Sequence, residues 1–147
     1  MALFQGKHFI NIFIKVFFRP TNDWSNFEFE STLQLNDFVE LLLEPIKSPQ
    51  YKYRIKLGLH EALVNAVTHG NKLDPQKSVR VRRIITPNWC VWQIQDQGNG
   101  LEIKKRLYKL PKHLSNVDGR GLFIINECFD DIRWSSKGNR LQLASKR

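Results

Sequence analysis

One segment, 53–68, constrains the fold most because its apolar residues recur at helical spacing. The apolar positions are Ile55, Leu59, Ala62, Leu63, Ala66 and Val67. This stripe predicts a helix with one face in the core. Glu61 and Asn65 stand four residues apart beside it, so they share a polar face. Because asparagine is a poor helix former and an unpaired buried carboxylate is costly, we expect this face to line a cleft.

The remaining pattern predicts hairpins rather than parallel βαβ units. Strands are predicted from period-two alternation or from short apolar runs, in the first half of 27–35, in 78–86, in 89–96 and in a last hairpin turning at 137–139. Helices are predicted from Asn36 onward, ended by Pro45 and then Ser48-Pro49-Gln50, and again over 121–129. This order predicts an α+β fold, a two-layer α/β sandwich with helices on one face of a mixed, mostly antiparallel sheet.

The chain has the length and composition of one globular domain. It has 147 residues, of which 41% are hydrophobic and 25% charged. We predict an N-terminal extension over 1–20 and a single domain over 21–147. The apolar run 8–18 is too short to span a bilayer and lacks a cleavage site. We expect it to form a strand on the domain or on a partner, with a peripheral membrane contact as the alternative, and we expect the protein in the cytoplasm.

The charge and the cysteines limit the partners and the chemistry. The formal net charge of +9 favours polyanionic partners, which include nucleotides, nucleic acids, anionic membranes and acidic proteins. Cys90 and Cys128 have neither metal-ligand spacing nor a close pairing partner. Both stand among apolar residues, so we expect them to be buried and reduced.

Glu61 and Asn65 could support phosphate chemistry from their shared helix face. An amide oxygen suits a hard cation such as Mg²⁺. A carboxylate can accept the proton of a hydroxyl that attacks a phosphate. Taken alone, the pair is also typical of a solvated helix face.

The second motif is DQGNGL, residues 96–101, at the end of an apolar strand. The Asp96 carboxylate can accept a hydrogen bond from an exocyclic amine. Gly98 and Gly100 would let a flat ring approach the backbone closely. The alternative is a tight turn after a strand, which sequences of this type often form.

The third motif is GRGLFII, residues 119–125, in which Gly119 and Gly121 precede a run of apolar residues. The N-terminus of the predicted helix offers free N–H groups and a positive dipole end to an anion. The preceding segment is rich in Lys and Arg, which suits a lid over phosphates; its basic residues are Lys104, Lys105, Arg106, Lys109 and Lys112. A flexible basic loop that leads into a packing helix is the alternative.

In this order the three motifs resemble the N, G1 and G2 boxes of the GHKL, or Bergerat-fold, ATPases. The boxes span Leu57 to about Asp130, roughly half of the chain. Within that superfamily the chain is most similar to the bacterial anti-sigma factors that are serine/threonine-protein kinases. A glutamate at position 61 distinguishes this branch from most sensor histidine kinases.

The resemblance implies a cofactor, a metal ion and a role for each matching residue. It implies ATP and Mg²⁺, with Glu61 as the catalytic carboxylate and Asn65 as the Mg²⁺ ligand. It implies that Asp96 binds the adenine amino group. The other residues implied in nucleotide binding are Gly98 and Gly100 on the adenine side, and Gly119, Arg120, Gly121 and Leu122 near the phosphates.

The function implied is an ATP-Mg-binding anti-sigma regulatory factor. It would phosphorylate a Ser or Thr of a small antagonist protein and, when free, hold a sigma factor or similar regulator. A homodimer is expected by resemblance, and no stable nucleic-acid or transmembrane partner is expected.

Two alternatives remain open. Some kinases of this family place an Arg shortly before the first G2 glycine, where this chain has residues 116–118, Asn-Val-Asp, and Arg120 is the nearest substitute. This difference favours a nucleotide-dependent partner switch without efficient kinase turnover. A basic nucleic-acid-binding domain would explain the charge but not the three motifs.

Overall fold

The computed structural model describes the backbone of residues 15–18 and the whole of 24–102 and 120–147. Within these ranges it has six strands and three α-helices. The strands are β1 Lys15–Phe18, β2 Ser25–Glu30, β3 Ser78–Ile85, β4 Trp89–Gln95, β5 Asp131–Trp134 and β6 Arg140–Lys146. The helices are α1 Asn36–Leu43, α2 Pro49–Asn65 and α3 Arg120–Cys128.

The strands form one sheet in the order β1-β2-β3-β4-β6-β5. Each strand pairing in the described part of the chain is antiparallel. The prediction of an α+β sandwich is therefore confirmed. The sheet order inserts β6 between β4 and β5, so the connection from β4 to β6 passes through α3 and β5.

The predicted apolar stripe over 53–68 lies in the core. All six of its residues are buried, with exposed fractions of at most 6%. Phe29 of β2 packs against Phe38 of α1 with 4.3 Å between their ring centroids. Trp92 of β4 packs edge-on against Phe129, just after α3. The core therefore joins the helices to one face of the sheet, and the cysteines lie in it, buried and free as predicted.

The bounds of α2 differ from the prediction at both ends. The helix begins at Pro49, because the Ser48 hydroxyl accepts the Tyr51 N–H at 3.5 Å and proline fits the first helical turn. Ser48 and Pro49 therefore start α2 and do not terminate α1, which ends at Leu43. A π-helical turn over Ala66–Gly70 continues α2 beyond Asn65.

The N-terminal extension contributes the first strand of the described sheet. β1 pairs antiparallel with β2, with Lys15 opposite Glu28 and Phe18 opposite Ser25. The rest of residues 1–20 lies outside the described residues, and the predicted domain boundary remains a prediction. Within the described ranges, no helix combines the length and the apolar character needed to cross a membrane.

Arg83 on β3 caps the C-terminal end of α1. Its Nη1 donates to the carbonyl oxygens of Leu41 and Leu42 at 3.0 and 3.2 Å. The last turn of α1 contains no basic residue of its own. A cation from the sheet therefore binds the carbonyl end of the helix, beside the Glu44 N–H on Leu41 and the Trp92 indole N–H on Leu42, and fixes α1 on the sheet.

We expect Arg83→Met to lower the free energy of unfolding by about 1–2 kcal/mol, because it keeps the apolar stem and removes the charged donor. Chemical denaturation measures the change. Arg80→Met is the matched control on the same strand, since the Arg80 side chain is 67% exposed. Equal effects of the two substitutions would contradict a capping role for Arg83.

Candidate functional site

A cavity of about 600 Å³ opens where α2, the π-helical turn and the start of α3 meet strands β4, β5 and β6. Apolar side chains and backbone form much of its wall, and a few polar groups face it. The lining residues are Ala62, Asn65, Ala66, His69, Gly70, Lys72, Ile94, Asp96, Asn99, Gly100, Leu101, Gly121, Leu122, Trp134, Gly138, Asn139 and Leu141.

The start of α3 lies directly against the polar face of α2. A Cβ atom built on Gly121 would stand 3.1 Å from Glu61 Oε2 and 3.3 Å from Asn65 Nδ2. A side chain at Gly121 would therefore crowd both groups. The absence of a side chain there lets two motifs that are far apart in the sequence share one small space.

Asp96 occupies a second position in the cavity, at the end of β4. Its Oδ1 accepts the Gly98 N–H at 2.7 Å, its own N–H donates to the Asn139 carbonyl at 3.0 Å, and Gly70 packs against its carboxylate. The Asp96 side chain is thereby held within the cavity wall by elements from three parts of the chain.

Burial raises the pKa of the Asp96 carboxyl above its ordinary value. The hydrogen bond from the Gly98 amide and the nearby Lys137 and Lys77 act in the opposite direction, with smaller effects. Asp96 is thus a partly desolvated acceptor, which the apolar wall makes costly to ionise and favourable to pair with a donor.

The π-helical turn aims the end of α2 at the cavity. Asn71 N–H donates to the Ala66 carbonyl at 2.8 Å, the five-residue spacing of a π-helix. Lys72 and Leu73 then follow with φ of 56° and 58°. Residues other than glycine rarely adopt this left-handed backbone conformation, which costs of order 1–3 kcal/mol per residue. This sharp reversal leaves His69 and Lys72 at the cavity.

Gly100 is needed for its backbone conformation. Its φ is +90°, and a Cβ there would collide with the Lys137 carbonyl. Leu101 N–H donates to the Gly138 carbonyl at 2.9 Å. The loop after β4 is therefore joined to the turn between β5 and β6, and both border the cavity.

The structure brings five of the residues predicted for the site together in the cavity wall. They are Asn65, Asp96, Gly100, Gly121 and Leu122. Residues of all three sequence motifs thus border one space. Their individual roles remain predictions.

Of the other four predicted residues, three lie outside the cavity wall and one is not described. Glu61 stands beside Gly121 without lining the cavity. Gly98 is buried behind Asp96, and Arg120 is exposed and outside the cavity wall. Gly119, like the basic segment before it, lies outside the described residues.

Two asparagines that sequence reasoning missed organise the site. Asn71 is fully buried, and its side chain accepts the Gln97 N–H at 2.8 Å. Asn139 donates from Nδ2 to the Asp96 carbonyl at 3.4 Å. Asn71 follows a helix-ending glycine and Asn139 lies in a turn, so both match ordinary turn residues in the sequence.

The match to known families agrees with this geometry. A family model described as the histidine kinase-like ATPase domain matches residues 30–145, which include all three motifs and every residue that lines the cavity. No curated protein matches the chain. Since the family model covers more than half of the sequence, the chain belongs to the histidine kinase-like ATPase domain family.

Proposed function

We propose that the protein is an ATP-Mg-binding regulatory factor that phosphorylates a Ser or Thr of an antagonist protein. One observation carries the proposal: Asp96 lines the same cavity as Asn65 and Gly121, and Glu61 stands directly beside Gly121. One site therefore offers a hydrogen-bond acceptor for the base, Asp96, and oxygen ligands for the phosphate end, Asn65 and Glu61. Family membership supports nucleotide binding, and the specific kinase class rests on the resemblance of the motifs.

Asp96 would read the adenine ring. Its carboxylate accepts from the exocyclic amine, and the apolar wall formed by Ile94, Trp134 and Leu141 covers the ring faces. Guanine and hypoxanthine carry an oxygen at that position of the ring. The carboxylate would therefore repel these bases and select adenine.

The place where the polar face of α2 meets the start of α3 fits the phosphate end and its metal ion. The carboxylate of Glu61 and the amide oxygen of Asn65 are hard oxygen donors, and Gly121 leaves free the space that a side chain would fill. A Mg²⁺ ion held by Asn65 would neutralise phosphate charge. The positive end of the α3 dipole attracts the same phosphates.

Glu61 would accept the proton during transfer. The Ser or Thr oxygen of the antagonist forms a bond to the terminal phosphorus as the bond from that phosphorus to the bridging oxygen breaks. ADP leaves with the bond's electrons, and the hydroxyl proton passes to Glu61. Positioning and charge neutralisation supply most of the acceleration, and the base adds about 10²–10⁴-fold.

A second candidate function is a nucleotide-dependent switch with little turnover. Arg120 is exposed and does not line the cavity, and residues 116–118 provide no Arg in its place. ATP would then control partner binding through occupancy alone. In both versions the proposed partners are a sigma factor or similar regulator and a small antagonist protein.

The first prediction from this function concerns Asp96. The wild-type chain should bind ATP with Mg²⁺ in the micromolar range, and Asp96→Asn should weaken binding by at least about tenfold, because the charge-assisted hydrogen bond to the adenine amine is lost. Isothermal calorimetry measures both affinities. A folded wild-type protein without ATP binding would contradict the proposed function.

The same substitution should stabilise the unliganded protein at pH 7. The folded state raises the pKa of Asp96 above its value in the unfolded chain. Ionisation of this carboxyl therefore lowers the stability of the fold as the pH rises from the unfolded-state pKa through the folded-state pKa. Asparagine keeps the acceptor for the Gly98 amide and removes the charge. The stability advantage of Asp96→Asn should therefore shrink as pH falls from 7 toward 4, which thermal unfolding across that range would follow.

The next prediction separates the roles of Glu61 and Asn65. Asn65→Ala should weaken Mg²⁺-dependent ATP binding and any phosphate transfer together. Glu61→Gln keeps the volume and removes the base, so ATP should still bind while transfer falls by about 10²–10⁴-fold. Transfer from labelled ATP to a candidate antagonist measures the rate.

The controls distinguish a kinase from a switch. Unchanged transfer in Glu61→Gln would remove Glu61 from the chemistry. Tight ATP binding by the wild-type protein with no transfer to its verified partner would favour the switch.

A further prediction places nucleotide binding away from the N-terminal extension. Among the described strands, β1 is separated by β2 and β3 from β4, β6 and β5, which carry the strand residues of the cavity. A chain that starts at Thr21 should therefore keep its ATP affinity within about threefold, less than 1 kcal/mol. Calorimetry tests this, and a folded truncation that loses ATP binding would instead assign the extension to the site.

A further inference from the structure

We infer that Asn71 is the positioning residue for adenine recognition, because it holds the backbone after Asp96 in place and joins it to the end of α2. The inference rests on the proposed function, since it assigns a role within the same nucleotide site. Asn71 does not line the cavity. It would act on the base only through Asp96.

Asn71 is a buried polar residue with a full set of partners. It has no exposed surface. Its Oδ1 accepts the Gln97 N–H at 2.8 Å, and its Nδ2 donates to the Ser78 carbonyl at 2.9 Å and to the Ser31 hydroxyl at 3.3 Å. One amide group thus joins the loop that follows Asp96, here called the base-reading loop, to the first residue of β3 and to the residue that follows β2.

The bond to Gln97 fixes the peptide group that follows Asp96. The same segment is fixed on the other side by Asn139, which accepts the Asp96 N–H at 3.0 Å and donates to the Asp96 carbonyl at 3.4 Å. With the backbone held on both sides, the Asp96 side chain has little freedom to turn away from the cavity. Loss of Asn71 would release one of these two attachments.

Asn71 also couples this loop to the helix that carries Glu61 and Asn65. Its N–H closes the π-helical turn on Ala66 at 2.8 Å, and the residue before it, Gly70, packs against the Asp96 carboxylate. The end of the π-helical turn and the backbone that follows Asp96 therefore meet at one residue. This arrangement would keep the distance between the base-reading group and the phosphate-side group constant.

The two halves of an asparagine amide explain why this residue type suits the position. The oxygen accepts from Gln97 while the nitrogen donates to Ser78, and burial makes each lost partner costly. Alanine provides neither group. Asn71→Ala would remove these partners from the Ser78 carbonyl and the Gln97 amide and would free the loop.

The test compares ATP with inosine triphosphate, which carries an oxygen where adenine carries the amine. In the full-length protein, Asn71→Ala should weaken ATP binding by about tenfold and inosine triphosphate binding by less than about threefold, because only the base-reading contact is loosened. Calorimetry in the presence of Mg²⁺ measures both affinities. A purely structural role would weaken both nucleotides equally.

Ser31→Ala is the matched control. It removes the partner of Asn71 that lies away from the base-reading loop and leaves the bond to Gln97 intact. It should lower stability slightly and leave the ratio of ATP to inosine triphosphate affinities unchanged. A ratio altered as much in Ser31→Ala as in Asn71→Ala would overturn the inference.

A measurement on the wild-type protein covers the case in which Asn71→Ala does not fold. Gln97 is an exposed residue, yet its backbone N–H should exchange slowly with solvent, because it donates to the buried side chain of Asn71. Rapid exchange of this amide would overturn the inference. A wild-type protein that binds neither nucleotide would reject the proposed function, whereas a preference for ATP that survives Asn71→Ala would reject the positioning role alone.

Discussion

The packing of α2 is the constraint on which the rest of the structure depends. One face of the helix is buried in the core and fixes its rotation about its own axis. That rotation directs Glu61 and Asn65 toward the start of α3, where Gly121 leaves room for them. Because core packing is dense and intolerant of shifts, the positions of these polar groups are set by apolar contacts on the opposite face.

The helix and the hairpins could be predicted from the sequence, and the supports of the site could not. Periodicity reports which side of an element is apolar, so Ile55, Leu59 and Leu63 were correctly assigned to the core. The hydrogen bonds of Asn71 to Gln97 and of Asn139 to Asp96 join residues 26 and 43 positions apart in the chain. Local sequence patterns carry no information about such long-range hydrogen bonds, so the buried Asn71 cannot be distinguished in the sequence from an ordinary turn asparagine.

The start of α2 shows a different reason for error. Ser48 and Pro49 follow Pro45 closely, and proline is compatible both with the end of one helix and with the first turn of the next. The hydrogen bond from the Tyr51 N–H to the Ser48 hydroxyl places them at the start of α2. In the candidate site, five of the predicted residues lie together in the cavity wall. The sequence does not specify in which direction the Arg120 side chain extends.

The sheet order has a consequence for the sequence of assembly during synthesis. β5 pairs only with β6 among the described strands, and β6 fills the place beside β4 that β5 leaves free. Trp134, Asn139 and Leu141 of this last hairpin form part of the cavity wall. A nascent chain in which only α2 and β4 have formed therefore has no complete cavity, and the wall closes only when β6 has joined the sheet.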